Sequence, residues 1–347
     1  MPLQLDERGT APQWTTLQVA NLNLLNFAAP GHAFYANDKP YEAAEYAHKV
    51  TWVGEQLKRL NADIACFEEI WDESALFDAV SASGLHYAHV TVPGAEQGAH
   101  GTPRVGLATR LKLLSCKSLT TFPAGMGVEI PEIGLIEQYE RPVLHATLQT
   151  RKGTEVHILV VHLKSKRPKF LIDAQGNALE DRNDPRVAAR AALRSLIMRG
   201  AESAALRVKV YELLKGSPTP LILAGDLNDE PESVTSQIIA ATSIVAFDRS
   251  ARDVALWHAR DVQTGQALSH DVGYSHIHQG NPEVLDQIWV SEEFVAGSRY
   301  AMGDVRRVDY FNDHLNEGHD RRRSDHGFVR ALLRLRETDA ALFARPE

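Results

Sequence analysis

The sequence predicts an α/β fold in which two packed sheets are flanked by helices. Three observations predict it. Apolar runs of strand length alternate with stretches of helical spacing along the whole chain. No low-complexity linker or repeat divides them, so the 347 residues read as a single domain, with a helix-rich insertion around 166–217. One run, Leu221 to Ala224, is apolar at every position and bounded by Pro220 and Gly225, as a strand buried on both faces should be.

Taken in order, Thr16 to Asn23 alternates into Leu24 and Leu25 as a first strand, which Ala29-Pro30-Gly31 breaks. From Tyr41 to Leu60, Tyr46, Val50, Val53, Leu57 and Leu60 fall on one helical stripe, with Glu42, Glu45, Lys49, Glu55 and Lys58 outside it. The next strand is Asp63 to Phe67. Further strands are expected at Arg104 to Thr109, Pro142 to Leu148, Val156 to Leu163, Leu221 to Ala224, Val284 to Val290 and Phe328 to Leu335. Between Pro185 and Leu214 the composition turns to Ala, Arg and Leu, which suits one long helix or a pair, and Lys215-Gly216-Ser217-Pro218 ends it. Long loops are expected at Pro93 to Thr102, Gly125 to Ile133, Pro168 to Asp184 and Phe311 to Arg323, bordering any site.

Composition narrows the function. With 44% hydrophobic residues the chain buries a substantial core, which excludes a disordered protein. A formal charge of −8 argues against a protein that coats nucleic acid through many phosphate contacts, though not against an enzyme that touches a few. The two cysteines, Cys66 and Cys116, lie in strand-like runs and read as small buried hydrophobes, with no disulfide framework. Met1 to Gln13 carries no secretion signal, and no window approaches the roughly 18 to 20 apolar residues that span a bilayer, so a protein of the cytoplasm without membrane insertion is expected.

Six strand ends carry polar groups where a buried strand should carry none. Asn23, with Asn26 beyond it, follows the first strand, and Glu68-Glu69 closes the second. His162 ends Val156 to Val161, Asp226 and Asn228 end Leu221 to Ala224, Asp286 lies inside Val284 to Val290, and Asp325-His326 precedes the last strand. Each has a plain structural reading. Gly-Asp-x-Asn makes an ordinary Asx turn, a lone histidine is commonly a hydrogen-bonded core residue, and an acidic pair is usually solvated. Six such residues of complementary chemistry call for one explanation. Their Asn, Glu and Asp oxygens suit Mg²⁺ or Mn²⁺, while two His–carboxylate combinations remain for moving protons.

In order and identity these motifs resemble the endonuclease/exonuclease/phosphatase superfamily, the deoxyribonuclease-like fold. The match runs through Asn23, Glu69, the His162-Leu163-Lys164-Ser165 string, Gly225-Asp226-Leu227-Asn228, Leu285-Asp286-Gln287-Ile288 and Ser324-Asp325-His326. The resemblance implies a four-layer α/β sandwich and phosphoester hydrolysis by in-line attack of water, assisted by a divalent cation. By position it implies Glu69 as principal metal ligand, helped by Asn23 and Asp325. Asp226 and Asn228 would orient water and phosphate oxygens, and Asp286 would hold His326 as the base. His162 would donate to phosphate, partnered by Glu140 of Tyr139-Glu140-Arg141-Pro142. Arg141, Lys164 and Arg323 are the expected phosphate contacts.

The string after His162, the stretch Tyr274 to Ser291 and His314-Leu315-Asn316 are most similar to bacterial nuclease-like members, which makes nucleic acid the expected substrate. Basic residues cluster beside the motifs: Lys164, Lys166, Arg167 and Lys169 after His162, and Arg321 to Arg323 before Asp325. A small phosphoester, such as an inositol phosphate, a nucleotide or a phospholipid head group, is the alternative. It draws on two departures, the missing export signal and the long helical segment 166–217. A noncatalytic binding protein ranks below both, since every site position keeps a competent side chain, and no obligate protein partner is inferred.

Overall fold

The computed structural model of the protein describes residues 13–34, 38–94, 102–173, 175–245, 248–266 and 272–337. Every expected strand lies in one of two six-stranded sheets, and the period of two along each strand decides what its faces meet. The chain begins with β1 (Gln13–Phe27), α1 (Ala43–Leu60), β2 (Ile64–Ile70), α2 (Glu73–Ser83), β3 (His89–Thr91) and β4 (Arg104–Thr109). There follow β5 (Lys112–Thr121), β6 (Val128–Ile130), β7 (Gly134–Ile136), β8 (Gln138–Gln149), β9 (Glu155–His162), α3 (Pro185–Leu214), β10 (Leu221–Asp226) and α4 (Val234–Ala240). The last part holds β11 (Leu256–His258), β12 (His276–His278), β13 (Asn281–Glu283), β14 (Asp286–Ser291), β15 (Gly303–Phe311) and β16 (Phe328–Glu337). The strand orders are β15-β16-β1-β2-β4-β3 and β11-β14-β10-β9-β8-β5, with β6–β7 and β12–β13 as separate hairpins.

One face of each sheet meets the other sheet. Leu17 and Val19 of β1, Ile64 and Cys66 of β2, Val156, Ile158 and Val160 of β9, Ile222 and Ala224 of β10, and Ile288 and Val290 of β14 share that core. The alternate residues point outward. Ala20, Leu22, Ala65 and Phe67 pack under Val53 and Leu57 of α1 and Leu76 and Ala79 of α2. Leu159, Val161, Leu221, Leu223 and Trp289 pack under Ala205, Leu206 and Val210 of α3 and Ile239 of α4. Helices, sheet, sheet and helices thus make four layers, and each fully buried Leu, Ile or Val contributes about 1.5–3 kcal/mol to holding them.

Several local expectations are corrected. β5 and β15 carry no clear strand pattern in the sequence because both are edge strands whose polar residues, among them Lys112, Lys117, Asp304 and Arg307, mask the alternation. Nor does the sequence predict α2. The expected loop at Gly125 to Ile133 contains β6, and the one at Phe311 to Arg323 begins on the last residue of β15 and includes a 3₁₀ turn at Asp313–Glu317. Most of the loop expected at Pro93 to Thr102, residues 95–101, lies outside the described residues. Helix α3 is one helix of 30 residues, capped by Asp184 with Pro185 in its first turn. Lys49, placed on the solvated side of α1 by its charge, is fully buried. Both cysteines are free thiols, and no helix among the described residues is long and apolar enough to cross a membrane.

Gly225 is required by close approach. An added Cβ would collide with the Val161 carbonyl on the neighbouring strand β9. The clash is with backbone, which cannot rotate away. Gly225→Ala is therefore expected to lower stability by about 1–3 kcal/mol or more, read as an earlier urea midpoint; an unchanged midpoint would show that the strands separate easily here.

Candidate active site

The rows of apolar side chains between the sheets all end in polar ones at the same end of the sandwich. Val156, Ile158 and Val160 are continued by His162; Ile222 and Ala224 by Asp226; Val290 and Ile288 by Asp286. From the opposite sheet, Leu17 and Val19 are continued by Asn21 and Asn23, and Ile64 and Cys66 by Glu68. Register brings them together. Asp226 pairs with His162 on β9 and with Asp286 on β14, and all three are buried.

Hydrogen bonds then join the sheets. Asn21 Nδ2 donates to Glu68 Oε2 (3.2 Å) and Asp286 Oδ1 (3.3 Å), and Asn23 Nδ2 donates to Asp226 Oδ2 (3.1 Å). The start of β14 is held by Ser275 Oγ, which accepts the N–H groups of Leu285 (3.1 Å) and Asp286 (2.9 Å). The turn before β16 is held by Ser324 Oγ, which donates to the Asn23 carbonyl (2.6 Å) and accepts from His326 N (3.0 Å). That turn aims His326 Nδ1 at Asp286 Oδ2, 2.7 Å away, and leaves its Nε2 4.0 Å from Asp226 Oδ2. His162 Nε2 approaches the same Asp226 oxygen to 3.5 Å.

Protonation follows from this crowding. Burial disfavours charge on His326, but Asp286, Asp226 and Asp325 and the bond to Asp286 together hold its pKa well above the ordinary imidazole value. Burial pushes Asp226 up to about 7 against the pull of His326. Burial, with Asp286 and Asp226 nearby, raises the Glu68 carboxyl well above its ordinary value. His162 goes the other way, lowered by burial and by the charges of Arg141, His326 and Lys164, so it rests as neutral imidazole.

A cavity of about 740 Å³ opens where these strand ends meet. His162, Asp226, Asn228 and His326 line it, together with Glu69, Asp325, Arg141, Lys164 and Glu140. Asn228 N donates to Asp226 Oδ1 (2.8 Å), and its Nδ2 donates to the Leu163 carbonyl (3.0 Å). Among the described residues, eight non-glycine residues have φ in the left-handed region; four of them, Leu25, Asn26, Glu69 and Asn228, line this one cavity. Such backbone costs on the order of 1 kcal/mol or more per residue and concentrates at functional sites. At Glu69 it has a visible effect. The strand period sends Glu68 inward, where it is buried outside the cavity lining, and the break at Glu69 (φ 61°) brings the neighbouring carboxylate to the cavity, where it accepts from Asn26 N (2.8 Å).

Three expected residues are placed differently. Asn23 is fully buried outside the cavity lining, its Nδ2 donating to Asp226 and its Oδ1 accepting from Leu25 N (3.1 Å), so it orients Asp226 rather than facing an ion. Glu140 does not partner His162, whose Nδ1 has no hydrogen-bond partner among the described residues. Its carboxylate serves Lys169 (3.3 Å), Lys164 (3.8 Å) and Arg141 (3.9 Å), which hold it below the usual range despite burial. Arg323 pairs with Glu317 and does not line the cavity. Asp286 is also absent from the lining, being wholly buried beside His326.

Residues the sequence did not disclose support the site from behind. Lys49 Nζ donates to the carbonyls of Leu25 (2.5 Å) and Arg321 (3.0 Å) and to Tyr41 Oη (2.8 Å), tying α1 to the turns that carry Asn26 and Asp325. Burial lowers its pKa to about 7, opposed by Glu69 and Asp325. Glu202 of α3 accepts the N–H groups of Glu140 (2.9 Å) and Lys164 (2.7 Å), fixing the ends of β8 and β9. A charged residue on an Ala-rich helix gives no sequence signal of burial.

Among the described residues, no three His, Cys, Asp or Glu side chains converge closely enough to cage an ion. The carboxylates of Glu69 and Asp325 in one open cavity instead fit a hard cation that keeps several of its waters, as Mg²⁺ does.

A model of the endonuclease/exonuclease/phosphatase family matches residues 20–326. Among solved structures, the chain is similar to an endonuclease/exonuclease/phosphatase family protein from Bacteroides thetaiotaomicron (TM-score 0.57, 15% identity, covering 94% of this chain and 97% of that one). It is also similar to the mannosyl-6-phosphatase of Bacteroides thetaiotaomicron (0.56, 14%, 91% and 99%) and to the human Nocturnin catalytic domain with bound sulfate (0.52, 17%, 93% and 97%). At such identities these structures speak for the fold. No curated protein matches the chain.

Glu202→Ala orphans the buried N–H of Lys164 and the part-buried N–H of Glu140, the first costing about 1–3 kcal/mol and the second less. Chemical denaturation should show a loss of about 2–4 kcal/mol with lowered turnover, whereas full stability and turnover would mean that α3 does not set the strand ends.

Proposed function

The chain belongs to the endonuclease/exonuclease/phosphatase family and is a phosphoesterase, and on that premise we propose that it hydrolyses phosphodiester bonds of nucleic acid by attack of water, with a divalent cation at Glu69 and Asp325. The observation that carries the reading is the approach of two imidazoles, His162 and His326, to one buried oxygen of Asp226.

Each residue has a task in that reaction. Asp286 accepts the His326 Nδ1–H, which leaves the Nε2 lone pair to take the proton of the attacking water. Asp226 and Asn228, bonded to each other, orient that water and the phosphate oxygens. His162, resting neutral, donates an N–H hydrogen bond to the phosphate or the leaving oxygen, which takes its proton from solvent water. Arg141, set by its bond to the Leu163 carbonyl (2.9 Å), and Lys164 take up charge as it builds on phosphorus. A divalent cation, when bound, supplies Lewis-acid neutralisation of the same charge.

A small phosphoester is the second reading, and two observations favour it. The cavity volume falls within the range of small-ligand sites. An ion pair from Lys166 to Glu283 (3.1 Å) also ties the segment after β9 to the β12–β13 hairpin beside it. A substrate panel separates the two. The nuclease reading predicts cation-dependent cleavage of single-stranded oligonucleotide that stops with chelator; the other predicts phosphate release from soluble esters with oligonucleotide intact.

Glu69→Ala should keep the fold and lose about 100-fold to 10,000-fold in cation-dependent turnover; parent-like turnover would remove Glu69 from the reaction. The pH dependence has a definite sign. Because the base works deprotonated and its pKa is raised, activity should climb with pH along a limb lying above the ordinary imidazole range. Asp286→Asn should move that limb to lower pH while cutting the maximal rate, and a limb that stays put would break the pairing.

A further inference from the structure

The basic residues around the site differ in one respect: most already have a carboxylate. Lys164 and Lys169 face Glu140, Lys166 pairs with Glu283 and Asp229, Arg322 with Asp320 and Arg323 with Glu317. Among the described residues no carboxylate lies within ion-pair distance of Arg167 or Arg321. Both line the same second hollow, of about 320 Å³, next to the catalytic cavity. The two spaces are continuous in their walls, sharing Leu25, Asn26, Arg167 and Asp325.

The second hollow is built rather than incidental. Its apolar wall is Phe34 and Tyr41, both buried, with rings 5.8 Å apart. Lys49 fixes Tyr41 from behind, and the Arg321 guanidinium lies 4.3 Å over the Tyr41 ring with one nitrogen donating to the Lys39 carbonyl (2.6 Å). Arg321 is thereby held in place with donors to spare. His319 adds a further nitrogen-bearing side chain, and Asp38, exposed, is the one carboxylate of the lining besides Asp325.

We propose that this hollow is a subsite for the neighbouring phosphate of a polynucleotide, gripped between Arg167 and Arg321 while the scissile phosphate occupies the catalytic cavity. The inference rests on the nucleic-acid reading and sharpens it. A guanidinium without a carboxylate partner among the described residues, shared by two adjoining hollows, suits a ligand that brings one anion to each, and a chain of phosphates does so by construction. A single-phosphate ester fills only one.

The test uses a dinucleoside monophosphate, with and without a terminal phosphate at either end, following diester cleavage by chromatography of the products. With the parent, the terminal phosphate at one end should raise kcat/KM about tenfold or more, as a charge-assisted contact does. Arg167→Gln and Arg321→Gln should each bring that ratio towards one, and Arg322→Gln, whose guanidinium is engaged with Asp320 at the surface, should keep it. Should the Arg321 variant fail to fold, the exposed Arg167 still decides the matter. A ratio of one in the parent, or a tenfold ratio that survives Arg167→Gln, overturns the subsite. A parent that leaves every dinucleotide intact but hydrolyses small esters brings down the nucleic-acid reading, and the subsite with it.

Discussion

Two carboxylates lie abreast on neighbouring strands, Asp226 on β10 and Asp286 on β14, both buried, with Asp226 at the floor of the cavity. Like charges so placed are costly unless each finds donors or a cation, and burial of an unpaired charge would outweigh many apolar contacts. The surroundings are arranged accordingly. Asn21 and Asn23 reach across from the other sheet, Ser275 holds the backbone of Asp286, and His326 is brought to Asp286 by a turn that Ser324 ties to β1. The pair explains why the sandwich turns polar at one end and why an imidazole there can hold or release a proton.

Much of this was legible because the period of two is strict. Once Val156 to Val161 is taken as a strand, His162 must share a face with Ile158 and Val160, and the same reasoning places Asp226 and Asp286. It fails where backbone departs from the period. From alternation alone Glu68 is the inward residue of its pair, and only the left-handed break at Glu69 brings the second carboxylate to the cavity. The resemblance to a family supplied what spacing did not.

Other parts were hidden for physical reasons. Lys49 and Glu202 are charged residues whose burial depends on backbone groups from distant segments, which no helical stripe reveals. Family resemblance pairs Glu140 with His162, yet three cations nearby claim its carboxylate. The edge strands β5 and β15 carry charge where interior strands carry Val and Ile. Among the clustered basic residues, sequence counts charges but not their partners. Lys164, Lys166, Arg322 and Arg323 have carboxylate partners, whereas among the described residues Arg167 and Arg321 have none within ion-pair distance.

Strain, charge and access converge on one hollow, so the position of a bound anion tests the account most directly. A crystal of the protein grown with Mg²⁺ and a phosphorothioate dinucleotide should place the central phosphorus beside His162, Asn228, Arg141 and Lys164, with the ion on Glu69 and Asp325. An anion seated away from His162 and His326, or an ion bound elsewhere with Glu69 free, would contradict it.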